Sequence, residues 1–237
     1  MSLADPLSRS ARHKALIRRL FDACVVVETC DPQDDPPPPF PEEAACLSPN
    51  AVEKRRREFA AGRAAAHRAM ATLGLTPSAI PVGPKRAPVW PPEVVGSISH
   101  CHSAAVAVMA LPQQMRGIGV DVEEDTPLAD DLIPQICRPA ERDWLAQQNS
   151  SGQLAKVIFS AKEAAYKCQY RLSERFFGFD GMELEMDLAQ GTDQISGTFC
   201  ARFTADQLPF RKGDAIDGRF VIGEGLIATA AQLPEVQ

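Results

Sequence analysis

Two carboxylates, Asp121 and Glu123, stand two residues apart in the run Gly117-Ile118-Gly119-Val120-Asp121-Val122-Glu123. The β-branched residues and glycines around them predict a strand, in which positions i and i+2 share a face. Both carboxylates therefore project together, and Ile118, Val120 and Val122 supply the opposite, apolar face. Like charges side by side repel, so a counter-charge is called for. A hard divalent cation such as Mg²⁺, typically held by one or two carboxylates with phosphates and water, supplies it. A solvated acidic strand end fits the same residues, since Glu124 and Asp125 follow.

Three further constellations carry polar chemistry. Glu163 and Lys167 are four apart within Phe159-Ser160-Ala161-Lys162-Glu163-Ala164-Ala165-Tyr166-Lys167, so on a helix they lie one turn from each other. By themselves they read as a salt bridge of a few tenths of a kcal/mol. Ser97, Ser99 and His100 end a strand-like segment, and hydroxyl and imidazole N–H groups suit an anion such as phosphate. His100 and His102 alternate with Cys101 and would share a face, but no third metal ligand stands at a plausible spacing. Lys85 and Arg86 sit in a proline-rich loop that ends at Trp90.

The elements that position these residues alternate between helix and strand. A basic stretch holding Arg9, Arg12, His13, Lys14, Arg18 and Arg19 reads as a solvated helix face and leads into a strand over 24–28. Residues 31–41, with four consecutive prolines, read as an extended connector. A helix is expected over 48–73, its core face marked by Val52, Phe59, Ala66, Met70 and Leu73, with Arg55 and other basic residues on its surface. Two strands fall within 94–109, joined at 99–103. Helices are expected over 139–148 and 151–171. Strands follow over 183–188, 194–203 and 220–231, with turns at Gly191 and Gly213. The class is α+β.

The 237 residues, 45% apolar and 24% charged, fit one large or two small soluble domains. A net charge of -6 excludes a nucleic-acid binder working through a broadly basic surface. The seven cysteines are odd in number and lack CxxC spacing, which argues for reduced, mostly buried thiols and a cytoplasmic setting. No apolar run approaches the ~18 residues of a membrane span, and no signal-like segment opens the chain.

Taken together, the segments around Ser97–His100, 117–123 and 159–167 occur in the order and approximate spacing of the 4′-phosphopantetheinyl transferases, and the chain resembles that family over about residues 40–205. The run 53–65, Arg86-Ala87-Pro88-Val89-Trp90-Pro91 and Phe176-Phe177-Gly178-Phe179 resemble its enterobactin-synthase component D branch. The resemblance implies two similar α/β halves about a pseudo-twofold axis, here 1–112 and 113–237, with coenzyme A between them. It implies transfer of the phosphopantetheine arm of coenzyme A to a serine of an apo acyl, aryl or peptidyl carrier protein, with release of adenosine 3′,5′-bisphosphate. By position, Asp121, Glu123 and Glu163 would hold Mg²⁺, and Lys167 would contact the phosphates. Ser99, His100 and Arg63 would engage the nucleotide phosphates, and Lys85 and Arg86 the adenine and phosphate, although their loop departs from the surfactin-type glycine-lysine-proline pattern. Glu163, arriving on a separate helix, is the expected base. A monomer is expected, without nucleic-acid or membrane partners. A metal-dependent phosphohydrolase acting on coenzyme A and a non-catalytic carrier-protein or coenzyme A binding module are the alternatives. For carrier docking, Arg171, Leu172 and Arg175 beyond the catalytic helix are expected to be exposed, with Phe177 and Phe179 in the core.

Overall fold

Two antiparallel sheets, each backed by one long helix, make up most of the computed structural model, which describes residues 7–189 and 194–235. Helix α1 (Arg9–Arg18) opens the chain. Its basic residues are paired rather than merely solvated: Arg9 with Asp31, Arg12 with Glu224 and Lys14 with Glu28. Strand β1 (Val26–Cys30) follows two residues later than expected, and a single turn, α2 (Pro41–Ala44), ends the proline-rich stretch. Helix α3 (Glu53–Thr72) starts five residues later than expected, and Val52 stands exposed before it rather than in its core face. Phe59, Ala66 and Met70 are buried as their spacing predicts.

Strands β2 (Val95–His100) and β3 (Ala105–Ala110) complete a three-stranded sheet in the order β1-β3-β2. Strand β4 (Met115–Glu124) begins the second sheet. Short helices α4 (Ile133–Ile136) and α5 (Pro139–Leu145) precede the long helix α6 (Ser151–Ser173). Strands β5 (Met182–Leu188), β6 (Ser196–Phe203), β7 (Ala215–Gly223) and β8 (Leu226–Pro234) close the five-stranded sheet, ordered β4-β8-β7-β6-β5. The run expected as one strand over 220–231 is instead a hairpin. Glu224 and Gly225 both adopt positive φ there, as tight hairpin turns require. The turn expected at Gly191 lies outside the described residues.

The sheets meet where β2 runs beside β4. The Val120 amide donates to Ser97 Oγ at 3.2 Å and the Val122 amide to Ser99 Oγ at 3.4 Å. Both positions advance together, so the two strands run parallel, with serine hydroxyls in place of backbone acceptors. On the other side of β4, helix α6 lies almost against the backbone. A Cβ at Gly119 would run into the Ala164 carbonyl, and one at Gly117 into that of Cys168. The two glycines thus set the separation that brings α6 side chains to the carboxylates of β4. Ile118, Val120 and Val122 face the opposite way, into a core shared with α1, β1 and β8. Among the described residues no helix is long and apolar enough to cross a membrane. Of the cysteines, Cys137 and Cys168 are buried, whereas Cys46 is exposed.

Candidate active site

Asp121 is the centre of a buried polar cluster and is only 4% exposed. Its Oδ1 accepts from Ser99 Oγ at 2.8 Å and from Lys167 Nζ at 2.7 Å. Its Oδ2 accepts from Ser160 Oγ at 2.8 Å, and Ser160 is bonded in turn to Thr229 on β8. Lys167 Nζ also donates to Ser99 Oγ and to the Val120 carbonyl, both at 3.1 Å. One β2 side chain and two α6 side chains therefore fix this carboxylate, and the β4 backbone anchors Lys167 and Ser99 in turn. The salt bridge to Glu163 that the i,i+4 spacing by itself suggests is not what the ammonium makes here; its anionic partner is Asp121.

Glu123 shares the Asp121 face. Burial first, and then the Asp121 charge, push its carboxyl up to about 7. Glu163, one turn before Lys167, is likewise raised by burial and by Asp121, against the opposing pull of Lys167. Both acids therefore sit where further positive charge would stabilise their ionised forms. Glu124 is not part of the group, because its carboxylate accepts from the amide and hydroxyl of Ser103. Among the described residues no three His, Cys, Asp or Glu side chains converge closely enough to hold a metal ion as they stand.

Ser99 and His100, adjacent on β2, face opposite ways. Ser99 is buried against Asp121 and not turned to a cavity, a different partner from the expected nucleotide phosphate. His100 opens on a cavity of about 460 Å³ lined also by Cys46, Arg55, Glu58, Arg63 and Arg86. Arg55 Nη1 donates to His100 Nε2 at 2.8 Å, and His100 Nδ1 lies 3.6 Å from Glu58. Burial and then the Arg55 charge lower the imidazole to about 4, so it is neutral with the proton toward Glu58. Arg63 is 6% exposed, stacks over Phe59, and its Nε has no hydrogen-bond partner among the described residues. It lies 3.7 Å from the fully buried Glu43. Glu43 also takes the His67 ring and the amides of Phe40 and Ile80, tying α2, α3 and the 80s loop together.

Lys85 and Arg86 both sit at positive φ in a tight turn between this cavity and a second one of about 690 Å³. Arg86 lines both. The larger cavity reaches Glu163 and Lys167, with Tyr166, Tyr170 and Trp90 in its walls. The structure thus brings Arg63, Lys85, Arg86, His100, Glu163 and Lys167 onto two adjoining cavities. Asp121 and Ser99 join them through Lys167. His102 does not join His100; it is exposed beside Gln33.

Sequence reasoning missed Arg55, Ser160 and Glu43. Arg55 was one of four consecutive basic residues, Lys54 to Arg57, whose facing is set only by where α3 lies on its sheet. Ser160 falls inside the motif of Glu163, three residues earlier and so on its face, which was a usable signal. Glu43 stood beside the proline run and offered none. Of the expected docking residues, Arg171 and Arg175 are exposed, Arg171 donating to the Val94 carbonyl at 2.9 Å, whereas Leu172 packs on the core. Phe177 and Phe179 pack on the core as expected, whereas Phe176 is exposed.

Residues 42–110 match the 4′-phosphopantetheinyl transferase N-terminal domain, and residues 117–218 match the 4′-phosphopantetheinyl transferase superfamily. The chain is 38% identical over 224 residues to 4′-phosphopantetheinyl transferase Svp of Streptomyces mobaraensis, covering 91% of this chain and 88% of that protein. It is 36% identical over 191 residues to 4′-phosphopantetheinyl transferase Npt of Nocardia iowensis, covering 78% and 85%. A shorter match, 43% identical over 122 residues, joins it to enterobactin synthase component D of Escherichia coli O157:H7, covering 50% and 56%. The chain belongs to the 4′-phosphopantetheinyl transferase superfamily and is an enzyme of that kind.

Proposed function

We propose that the protein transfers the 4′-phosphopantetheine arm of coenzyme A to a serine of an apo carrier protein, with Mg²⁺, at the junction of β4 and α6. The observation that carries this reading is the Asp121 cluster. It places a fixed carboxylate, two half-buried acids with raised affinity for protons, and an ammonium beside a cavity that adjoins a cationic one. Such a donor set of hard oxygen atoms suits Mg²⁺. Asp121, Glu123 and Glu163 would hold the ion, and Lys167 now supplies part of the positive charge that they lack. Bound there, Mg²⁺ would withdraw charge from the pyrophosphate.

The nucleotide end of coenzyme A occupies the smaller cavity in this reading. Arg63, whose Nε lacks a hydrogen-bond partner among the described residues, and Arg55 and Arg86 supply positive charge for its phosphates. Neutral His100 contributes by orienting Arg55, and Lys85 closes the turn between the cavities. Ser99 and Ser160 hold Asp121 in place.

In the reaction the carrier serine Oγ attacks the β-phosphorus. The bond from that phosphorus to the bridging oxygen breaks, and its electron pair leaves on adenosine 3′,5′-bisphosphate. Glu163 takes the serine proton, a role its raised proton affinity suits. Lys167 stabilises charge on the phosphate oxygens. No covalent enzyme intermediate is needed. One copy of the chain carries every residue invoked, consistent with a monomer whose two halves divide near residue 112. Incubation with coenzyme A, Mg²⁺ and a panel of apo-carriers, read by intact mass, tests the reading. A carrier gaining one phosphopantetheine arm supports it; release of 4′-phosphopantetheine with no carrier modified overturns it.

A further inference from the structure

Phe176 is 67% exposed and Val89 50%, and both stand beside the cavity that holds Glu163 and Lys167. Val89 lines its mouth. The Phe176 ring lies 5.4 Å from the Lys85 ammonium and meets the Tyr166 ring edge-on at 6.0 Å, and both neighbours belong to the cavity wall. A large aromatic left in water beside a reaction cavity is a feature that partner surfaces share.

The exposure of Phe176 is built into the end of α6. Glu174 adopts φ 52 and its amide donates back to the Tyr170 carbonyl, which stops the helix. Ser173 Oγ then accepts the Arg175 amide, and Gln169 Nε2 donates to the Arg175 carbonyl. These contacts turn the chain so that Phe176 points outward while Phe177 returns to the core.

Charge identifies what fits there. The chain as a whole carries -6, yet this edge presents Lys85, Arg86, Arg171 and Arg175 against the exposed carboxylates of Glu174 and, beside the Val94 carbonyl that Arg171 meets, Glu93. An acidic partner is repelled by the molecule at large and attracted here, which selects one approach. We infer that Phe176, Val89 and Arg175 form the docking edge for the carrier, meeting an acidic, partly apolar surface around its acceptor serine. The inference rests on the proposed transfer, because that serine must reach Glu163 and Lys167 through the cavity this edge borders.

The test is steady-state transfer by the full-length Phe176→Ser and Arg175→Glu variants, with apo-carrier and coenzyme A varied separately. Neither side chain belongs to the metal or nucleotide site, and both are exposed, so melting should match the unaltered protein. Each variant should raise the apparent KM for apo-carrier by about fivefold or more, the scale of an interface residue contributing over 1 kcal/mol. The KM for coenzyme A should stay within about twofold, and added salt should shrink the Arg175→Glu effect. An unchanged carrier KM in both variants overturns the assignment. So does sedimentation of the unaltered protein as a dimer that Phe176→Ser dissociates, since a second copy would then cover the edge. If the unaltered protein modifies no carrier at all, the transfer reading itself falls, an outcome separate from failure of the variants.

Discussion

At the scale of single residues, the proposed transfer rests on Asp121 and Glu163, and their removal should stop it without unfolding the protein. Asp121→Asn keeps the shape that Ser99 and Ser160 hold, and Glu163→Gln is half-exposed on α6. Each should lower turnover by roughly a thousandfold, equivalent to about 4 kcal/mol, the order a positioned cation contributes. Near-normal turnover at saturating Mg²⁺ would remove them from the metal site. Arg63→Ala and His100→Ala should instead weaken coenzyme A binding and erode the preference for it over 3′-dephospho-coenzyme A by about tenfold, measured by calorimetry. An unchanged preference would move the 3′-phosphate out of the smaller cavity. His100 also predicts a pH effect on the free protein. It faces Arg55, Arg63 and Glu58 on α3, Lys167 on α6 and Asp121 on β4, and its value of about 4 lies below the unfolded 6.5. The unfolded state therefore binds more protons between those values, so this stability is present above about 6.5 and is lost as pH falls toward 4. Denaturant midpoints at pH 7 and pH 5 should differ less in His100→Gln than in the unaltered protein. Equal shifts in both would show that His100 is not the buried neutral group described.

At the scale of elements, the site depends on how closely α6 lies on β4. Gly119→Ala would drive a methyl group into the Ala164 carbonyl, so helix and strand must part. Overpacking of this kind costs about 1–3 kcal/mol, and denaturant unfolding should register at least that loss, with transfer falling alongside. Full stability in the variant would mean that the approach is looser than described. The shared face of Asp121 and Glu123, and the helix bearing Glu163 and Lys167, were legible because strand and helix periods determine them locally. The partner of Lys167 was not. It is Asp121, 46 residues away in sequence, and only the packing that the two glycines permit brings them together. The join of the sheets through Ser97 and Ser99 was equally hidden, since serine hydroxyls replaced the backbone pairing that a strand pattern reports. At the end of α6 the composition put Leu172 forward with Arg171 and Arg175 as an exposed edge, but Leu172 packs on the core. The left-handed Glu174 cap turned the chain and exposed Phe176 instead.

At the scale of the whole molecule, two sheets joined along β2 and β4 bring a cationic cavity and an acidic cluster to one border, with Arg86 lining the cavities on both sides of its turn. Cys46, the one exposed cysteine among the described residues, lies in the wall of the smaller cavity, where a bound nucleotide would cover it. Iodoacetamide should alkylate Cys46 first, and saturating coenzyme A should slow that labelling severalfold, as read by peptide mass. Labelling indifferent to coenzyme A would place the nucleotide elsewhere. The account as a whole turns on transfer that needs the ion. The most direct measurement is the intact mass of an apo-carrier after incubation with coenzyme A and the unaltered protein, in Mg²⁺ and in excess EDTA. The account predicts one added phosphopantetheine arm with Mg²⁺ and none with EDTA. Equal modification of the carrier in EDTA would contradict it.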